Sequence, residues 1–253
     1  MKFFVVIPAR YASVRLPGKP LRELAGAPLI EHVWRRATDS GAQRVIIATD
    51  DERIFETSRG FGAEVVMTSP EHASGTDRIA EVARLEGWDE DELVVNLQGD
   101  EPLMPPETVR QVAELLWMYS DADMATLCTP IHNPAEWQNP NVVKVVLAED
   151  GSALYFSRAT IPFRRDAIGG SRIQSSAALR HVGLYAYRTH ALLRMSATPA
   201  CEIESTERLE QLRALWMGLK IQVDVAKAVP PPGVDTKQDL QRVDAVLRGV
   251  SFS

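Results

Sequence analysis

Residues 44–67 read RVIIATDDERIFETSRGFGAEVVM, and two short apolar runs there bracket a helical segment. Arg44–Thr49 is β-branched and almost continuously apolar, the pattern of a strand covered on both faces. Glu52–Arg59 reads as a helix stopped near Gly60 and Gly62. Glu64–Met67 is a second strand. Two such strands joined by a helix make a crossover unit, because parallel neighbours cannot be joined by a tight turn.

The alternation continues in both directions. Lys2–Ile7 (KFFVVI) is a strand, and Leu29, Ile30, Val33, Trp34 and Ala37 recur at helical spacing until Gly41. Thr76–Leu85 is helical, with Ser74 or Thr76 as its cap; Leu93–Leu97 is a strand and Glu107–Tyr119 a helix. This predicts an α/β fold, a Rossmann-like αβα sandwich with a mostly parallel central sheet. Beyond about residue 120 the pattern changes. Val142–Leu147 and Ala153–Phe156 flank Asp150-Gly151, a hairpin signal. Residues 166–178 are small and polar, a loop composition. His181–Tyr187 is a strand, Ile203–Met217 an amphipathic helix, Lys220–Val225 a strand and Lys237–Leu247 the last helix. The expectation is one domain over 1–253, with a smaller β-rich insertion at about 130–190 serving as lid and dimer contact.

Composition narrows the function. The chain has 253 residues, 45% of them hydrophobic, and a net charge of −6. Its two cysteines, Cys128 and Cys201, lack any metal-ligand spacing and fit a reducing compartment. No run approaches the ~18 apolar residues of a membrane span, so a cytoplasmic protein is expected. The charge is uneven: Lys2, Arg10, Arg15, Lys19 and Arg22 fall in the first 22 residues without a single acid, so the remainder carries −11. One basic island on an acidic chain argues against a nucleic-acid binder, which spreads its basic surface, and for a small-anion site.

Ligands of open α/β sheets sit at the carboxyl ends of the strands, here the segments after Ile7, Thr49, Met67 and Leu97. After Ile7, Arg10, Arg15 and Lys19 lie in a loop stiffened by Pro17-Gly18-Lys19-Pro20; forked guanidinium donors and an ammonium suit phosphate oxygens. After Leu97, QGDEP places Asp100 beside Gly99, either as turn chemistry or as a magnesium ligand, since Mg²⁺ takes one or two carboxylates plus phosphate oxygens and water. After Met67, Ser74-Gly75-Thr76 opens a helix whose free N–H groups can meet an anion. Arg78 lies in that first turn, unfavourable for the helix dipole unless it reaches a ligand. Asp235, with Gln238 three residues on, reads as a helix cap unless it partners Asp100 on a metal. His181, Gly183, Tyr185 and Tyr187 share one side of a strand, which suits a polar pocket that Glu210-Gln211 could join. No G-x-S-x-G elbow supports a serine nucleophile.

In order, IPARYASVRLPGKPL (7–21), ATDD (48–51), ASGTDR (73–78), NLQGDEP (96–102), NPNVVKVV (139–146), ALYFSRATIPF (153–163), RHVGLYAYR (180–188), LEQLR (209–213) and GVDT (233–236) resemble the 3-deoxy-D-manno-octulosonate (Kdo) cytidylyltransferases, the CMP-Kdo synthetases. The resemblance runs from Phe4 to about Val246. It implies coupling of CTP with Kdo to give CMP-Kdo and diphosphate for lipopolysaccharide assembly, by a cytoplasmic, Mg²⁺-dependent homodimer. It implies Arg10, Arg15 and Lys19 on the triphosphate, Asp100 and Asp235 on magnesium, and Ser74, Gly75 and Arg78 on the nucleotide. It also implies Gln98, Arg158, His181, Tyr185, Glu210 and Gln211 around Kdo. Arg10, Arg15, Lys19 and Asp100 form the expected catalytic set, with Asp100 and Asp235 holding the metal on one side of the α-phosphate and the basic loop taking the departing diphosphate on the other. Transfer to a related 3-deoxy acid (8-amino-Kdo or a sialic acid), or a non-catalytic nucleotide-sugar binder on the same fold, are the alternative readings.

Overall fold

The computed structural model describes residues 1–12, 16–163, 165 and 178–249. The elements begin with β1 (Phe4–Ala9), a single 3-10 turn (Lys19–Leu21) and a two-stranded ribbon of β2 (Glu23–Leu24) and β3 (Ala27–Pro28). Next come α1 (Leu29–Asp39), β4 (Arg44–Thr49), α2 (Glu52–Gly60), β5 (Glu64–Met67), α3 (Gly75–Glu86), β6 (Leu93–Asn96) and α4 (Pro106–Met118). The second half holds β7 (Met124–Pro130), α5 (Pro134–Gln138), β8 (Lys144–Leu147), β9 (Ala153–Ser157), β10 (Leu179–Arg188) and α6 (Thr189–Ala197). It ends with α7 (Glu202–Glu207), α8 (Gln211–Trp216), β11 (Ile221–Val225) and α9 (Lys237–Leu247).

The main sheet runs β11-β7-β10-β6-β1-β4-β5, with the β8–β9 hairpin attached to β10. Pairings of β1 with β4 and β6, of β4 with β5 and of β7 with β11 are parallel, whereas β10 is antiparallel to both of its main-sheet neighbours. The α/β sandwich with a mostly parallel sheet is thus the observed fold. The chain steps from β1 outward to β4 and β5, then returns to β6 on the other side of β1. That reversal opens a crevice at the carboxyl ends of β1 and β6.

The strands are apolar on both faces because both are covered. Val5 and Ile7 of β1 pack in one layer with Leu29, Ile30 and Val33 of α1 and Val112 and Leu116 of α4. Val6 packs in the other with Ile79 and Val82 of α3 and Leu192 of α6. β10 follows the same rule: Val182, Leu184 and Ala186 enter the first layer, Tyr185 and Tyr187 the second. The pairing of β10 with β7 shifts between Val182 and Tyr185, where Gly183 and Leu184 stand as two extra residues. Two extra residues kink the strand yet keep its alternation in step.

Some expectations change. β7 was not anticipated, although it is fully buried up to its last residue. The helix expected over Ile203–Met217 is two, α7 and α8, broken at Arg208, whose φ of 54° no helix accommodates. β10 belongs to the centre of the main sheet, so residues 179–188 are not a separate part of any insertion. The polar loop of 166–178 lies outside the described residues except for Ala178.

Lys144 organises the start of the hairpin. It is wholly buried on β8, and its Nζ donates to the carbonyls of Asn139, Val142 and Arg158. Burial pushes its pKa down, and three carbonyl acceptors supply what lost water would have given. Lys144→Met keeps an unbranched apolar stem but orphans those oxygens. It should lower the unfolding free energy by about 3 kcal/mol or more, read as an earlier urea midpoint at unchanged m-value.

Candidate active site

β1 and β6 deliver their ends side by side, and Gly99 is what lets the following loops touch. A Cβ on Gly99 would lie 2.8 Å from the Pro8 carbonyl oxygen. Gly18, at a φ of 67°, turns the basic loop so that Lys19 opens the 3-10 turn. Lys19 Nζ then donates to Asp100 Oδ2 (2.7 Å), to the Val234 carbonyl (2.9 Å) and to Asp235 Oδ1 (3.3 Å). The Val234 N–H donates in turn to the Asp100 carbonyl. Three segments far apart in sequence therefore meet on one ammonium group. Asp100 and Asp235 come together as expected, but Lys19 lies on their side of the site rather than opposite them. The cause is electrostatic: two neighbouring carboxylates repel, and a cation between them relieves it.

Asp235 does not cap α9. Thr236 does, in a capping box with Asp239, and this leaves the Asp235 carboxylate to face Lys19. The N-cap of α3 is Ser74, boxed with Asp77. Gly75 lies against Pro8, with Gln98 just beyond, so the α3 N-terminus abuts the β1 and β6 loops. Gln98 Nε2 donates to Asn96 Oδ1. Arg10 is exposed beside the Ala73 carbonyl (3.5 Å), on a cavity of about 310 Å³ shared with Lys19, Gln98 and Asp100. Arg15 lies outside the described residues.

The α3 N-terminus also borders a larger cavity of about 640 Å³, lined by Ser74, Asp77, Arg208, Glu210 and Arg213 among others. Thr76 Oγ1 donates to Glu210 Oε2 (2.9 Å). Burial raises the Glu210 pKa, opposed by hydrogen bonds from Thr76 and Ser74. Gln211 is buried on α8 beside it. A third cavity, about 180 Å³, lies between His181, Arg180, Gly183, Glu101 and Pro230–Pro232. His181 contacts Thr126 Oγ1 through Nε2 (3.0 Å), and its ring lies 5.1 Å from Phe156 and 5.2 Å from Tyr185, centroid to centroid. Burial pushes its imidazole down to about 3, so it is neutral at physiological pH. Tyr185 is buried in the layer beneath, and its hydroxyl has no partner at hydrogen-bonding geometry among the described residues.

Two expected ligand contacts are engaged elsewhere. Arg78 is wholly buried; its guanidinium pairs with Asp50 (2.7 Å) and donates to Thr68. Its position in the first turn of α3 is explained by that ion pair. Arg158 donates to the carbonyls of Pro140, Glu207 and Arg208 and so holds the break between α7 and α8.

Glu101, in contrast, was passed over. It follows Asp100 in QGDEP and faces the third cavity. Burial first, then Asp100 and Asp235, push its carboxyl up to about 8. The available signal was its adjacency to Asp100 in a loop at a strand end. Thr126 was missed because its strand was.

The arrangement joins a cation-bridged carboxylate pair, an exposed arginine and two flanking polar cavities at the crevice of an α/β sheet. Such a site suits transfer of a phosphoryl-bearing group between two anionic partners. A cytidylyltransferase family profile matches residues 4–221. The 3-deoxy-manno-octulosonate cytidylyltransferase of Thioalkalivibrio sulfidiphilus is 55% identical over 250 residues, covering 98% of this chain and 100% of that protein. That of Marinobacter nauticus is 54% identical, covering 98% and 97%. The solved structure of CMP:2-keto-3-deoxy-manno-octonic acid synthetase complexed with CTP is 41% identical and superimposes with a TM-score of 0.88 over 98% of this chain and 99% of that one. A cytidylyltransferase from Leptospira borgpetersenii, at 15% identity and a TM-score of 0.64, shares the fold. The chain belongs to the cytidylyltransferase family, among the 3-deoxy-manno-octulosonate cytidylyltransferases.

Proposed function

We propose that this protein transfers CMP from CTP to Kdo, releasing diphosphate, and so supplies the activated sugar for lipopolysaccharide assembly. The observation that carries the reading is Lys19 held between Asp100 and Asp235 at the crevice of the sheet; the names and coverage of the relatives support the substrates. The chemistry is attack of the sugar's anomeric hydroxyl on the α-phosphorus, with diphosphate leaving in line. It needs no covalent enzyme intermediate, so no activated serine or cysteine is called for. Lys19 and the exposed Arg10 offset the charge of the triphosphate, with Arg15 of the same loop completing the set. His181 and Glu210 line the cavities on either side and orient the sugar. The helix start at Gly75 abuts the same loops and positions the nucleotide.

The same reading includes Mg²⁺. Two carboxylates that one ammonium already reaches fit a small cation that takes one or two carboxylates and fills its remaining positions with phosphate oxygens and water. When bound, the ion supplies Lewis acidity toward the α-phosphate and the attacking hydroxyl. Among the described residues no cluster of three or more ligating side chains competes for that role. Among them, too, no helix is long and apolar enough to cross a membrane. A cytoplasmic homodimer completes the reading, supported by the exposed Leu154 and Phe163 in and beside the β8–β9 hairpin.

Diphosphate release should require CTP, Kdo and Mg²⁺ together; equal or faster turnover with a sialic acid, 8-amino-Kdo or another nucleotide would overturn the substrate assignment. Asp100→Ala should cost at least about a hundredfold in kcat, the scale of losing a group aimed at transition-state charge. Asp235→Asn should lose activity at unchanged Tm, because the Thr236 cap survives. Activity near wild type in either variant would remove the metal role.

Glu101 supplies a test without turnover. Its folded-state pKa of about 8 lies above the ordinary carboxyl value. In the fold it keeps a proton that the unfolded chain releases, so its contribution favours the fold at low pH and fades as pH rises through that interval. In Mg²⁺-free buffer the Tm of the wild type should fall relative to Glu101→Gln between about pH 5 and pH 8. Added Mg²⁺ should shrink the gap, since a nearby dication favours the ionised carboxyl.

A further inference from the structure

The contact between Thr126 and His181 carries more chemistry than a packing contact. Thr126 Oγ1 lies 2.8 Å from the Leu184 carbonyl oxygen, 3.0 Å from the Val182 carbonyl oxygen and 3.0 Å from His181 Nε2. Both carbonyls belong to the kink of β10 around Gly183 and Leu184. A carbonyl oxygen can only accept, and a threonine hydroxyl has one proton to give. If that proton went to the imidazole, both carbonyls would face the lone pairs of Oγ1 at hydrogen-bonding distance. Giving it to a carbonyl instead leaves Oγ1 as an acceptor, and the bond to the ring must then run from Nε2–H to Oγ1. Tyr185, which also faces Thr126, does not change this: whether its hydroxyl gives a proton to Oγ1 or takes the threonine's, Oγ1 still accepts from the ring. The strand's own kink therefore favours hydrogen on Nε2. Nδ1 is left with its lone pair and with no hydrogen-bond partner among the described residues, on a side chain that lines the cavity beside Glu101.

We propose that Thr126 is a positioning residue for sugar recognition: it holds His181 as the Nε2–H tautomer, so that Nδ1 accepts a hydrogen bond from a hydroxyl of the sugar. The role rests on the reading of this cavity as part of the sugar site, whereas the tautomer does not. A fixed acceptor next to the cation-bridged carboxylates favours a polyhydroxylated acid presenting a donor at that spot. It disfavours an analogue lacking that hydroxyl, which would leave Nδ1 buried and unpaired.

The test has two readouts on the full-length protein. Long-range ¹H–¹⁵N correlation on histidine-labelled protein without substrate, with His181 assigned by its absence in His181→Gln, should give a pyrrole-type Nε2 and a pyridine-type Nδ1. Thr126→Val should shift that pattern toward the other tautomer. It should also raise KM for Kdo roughly three- to tenfold while KM for CTP stays within about twofold, the scale of one net hydrogen bond. Thr126→Ser, which keeps the hydroxyl, should restore both. A pyrrole-type Nδ1 in the wild type overturns the proposal whatever the sugar. So does a Thr126→Val that leaves KM for Kdo unchanged or raises both KM values together, the mark of a merely structural residue. If the wild type prefers another 3-deoxy acid, the substrate reading fails, and the same split is measured with that acid.

Discussion

Two carboxylates that both stay ionised within a few ångströms of each other need a cation between them, and Lys19 meets that demand here. Its ammonium touches Asp100, Asp235 and the Val234 carbonyl. Much of the surrounding structure serves to make that meeting possible. Gly18 turns the basic loop, Gly99 lets the β6 loop press against Pro8, and the capping box of Thr236 and Asp239 fixes α9 without using Asp235. The acid-free opening of the chain has the same explanation. Lys19 faces acids that arrive from elsewhere in the sequence, and an acid within the loop would have drawn it away from them. Before any substrate binds, the lysine prevents a repulsive pair from destabilising the crevice.

The three cavities divide recognition without separating it. Gly75 joins the crevice to the cavity of Ser74 and Glu210, because the α3 N-terminus rests on Pro8. Glu101 joins it to the cavity of His181, being next in sequence to Asp100. Two arginines form the frame of this arrangement. Arg78 pins α3 to the end of β4 through Asp50, and Arg158 pins the α7–α8 break through backbone carbonyls. Both offer rigid forked donors to fixed acceptors, a use for which lysine is a poor substitute.

The first half of the fold was legible because its strands are short, apolar and punctuated by glycine, and because helices alternate with them. Arg44–Thr49 and Glu64–Met67 have the expected bounds. β7 was not legible: MATLCTP mixes small, polar and apolar residues, and its burial comes from both neighbouring strands rather than from its own pattern. The break at Arg208 was hidden because apolar spacing continues through it, and the left-handed residue is neither glycine nor asparagine. The site was legible as a set of loops but not as partnerships. The sequence contains Lys19, Asp100 and Asp235 plainly, yet that the lysine bridges the two acids depends on loop geometry. Arg78 looked like a ligand contact because Asp50, 28 positions away, could not be paired with it by local rules. Glu101 looked ordinary because burial, the cause of its altered acidity, is a tertiary property.

The kink in β10 has a consequence for how this strand can change length. Gly183 and Leu184 form an even insertion, so His181 and Tyr185 remain on one face and Val182 and Leu184 on the other. Removing a single residue there would exchange the two sets, turning the imidazole toward the layer of α4 and Val182 toward that of Tyr185. Removing both would straighten the strand and spare the assignment of faces. Length variation at this point is therefore quantised: the strand can gain or lose residues in pairs, while odd changes are barred by the chemistry on either side of the sheet.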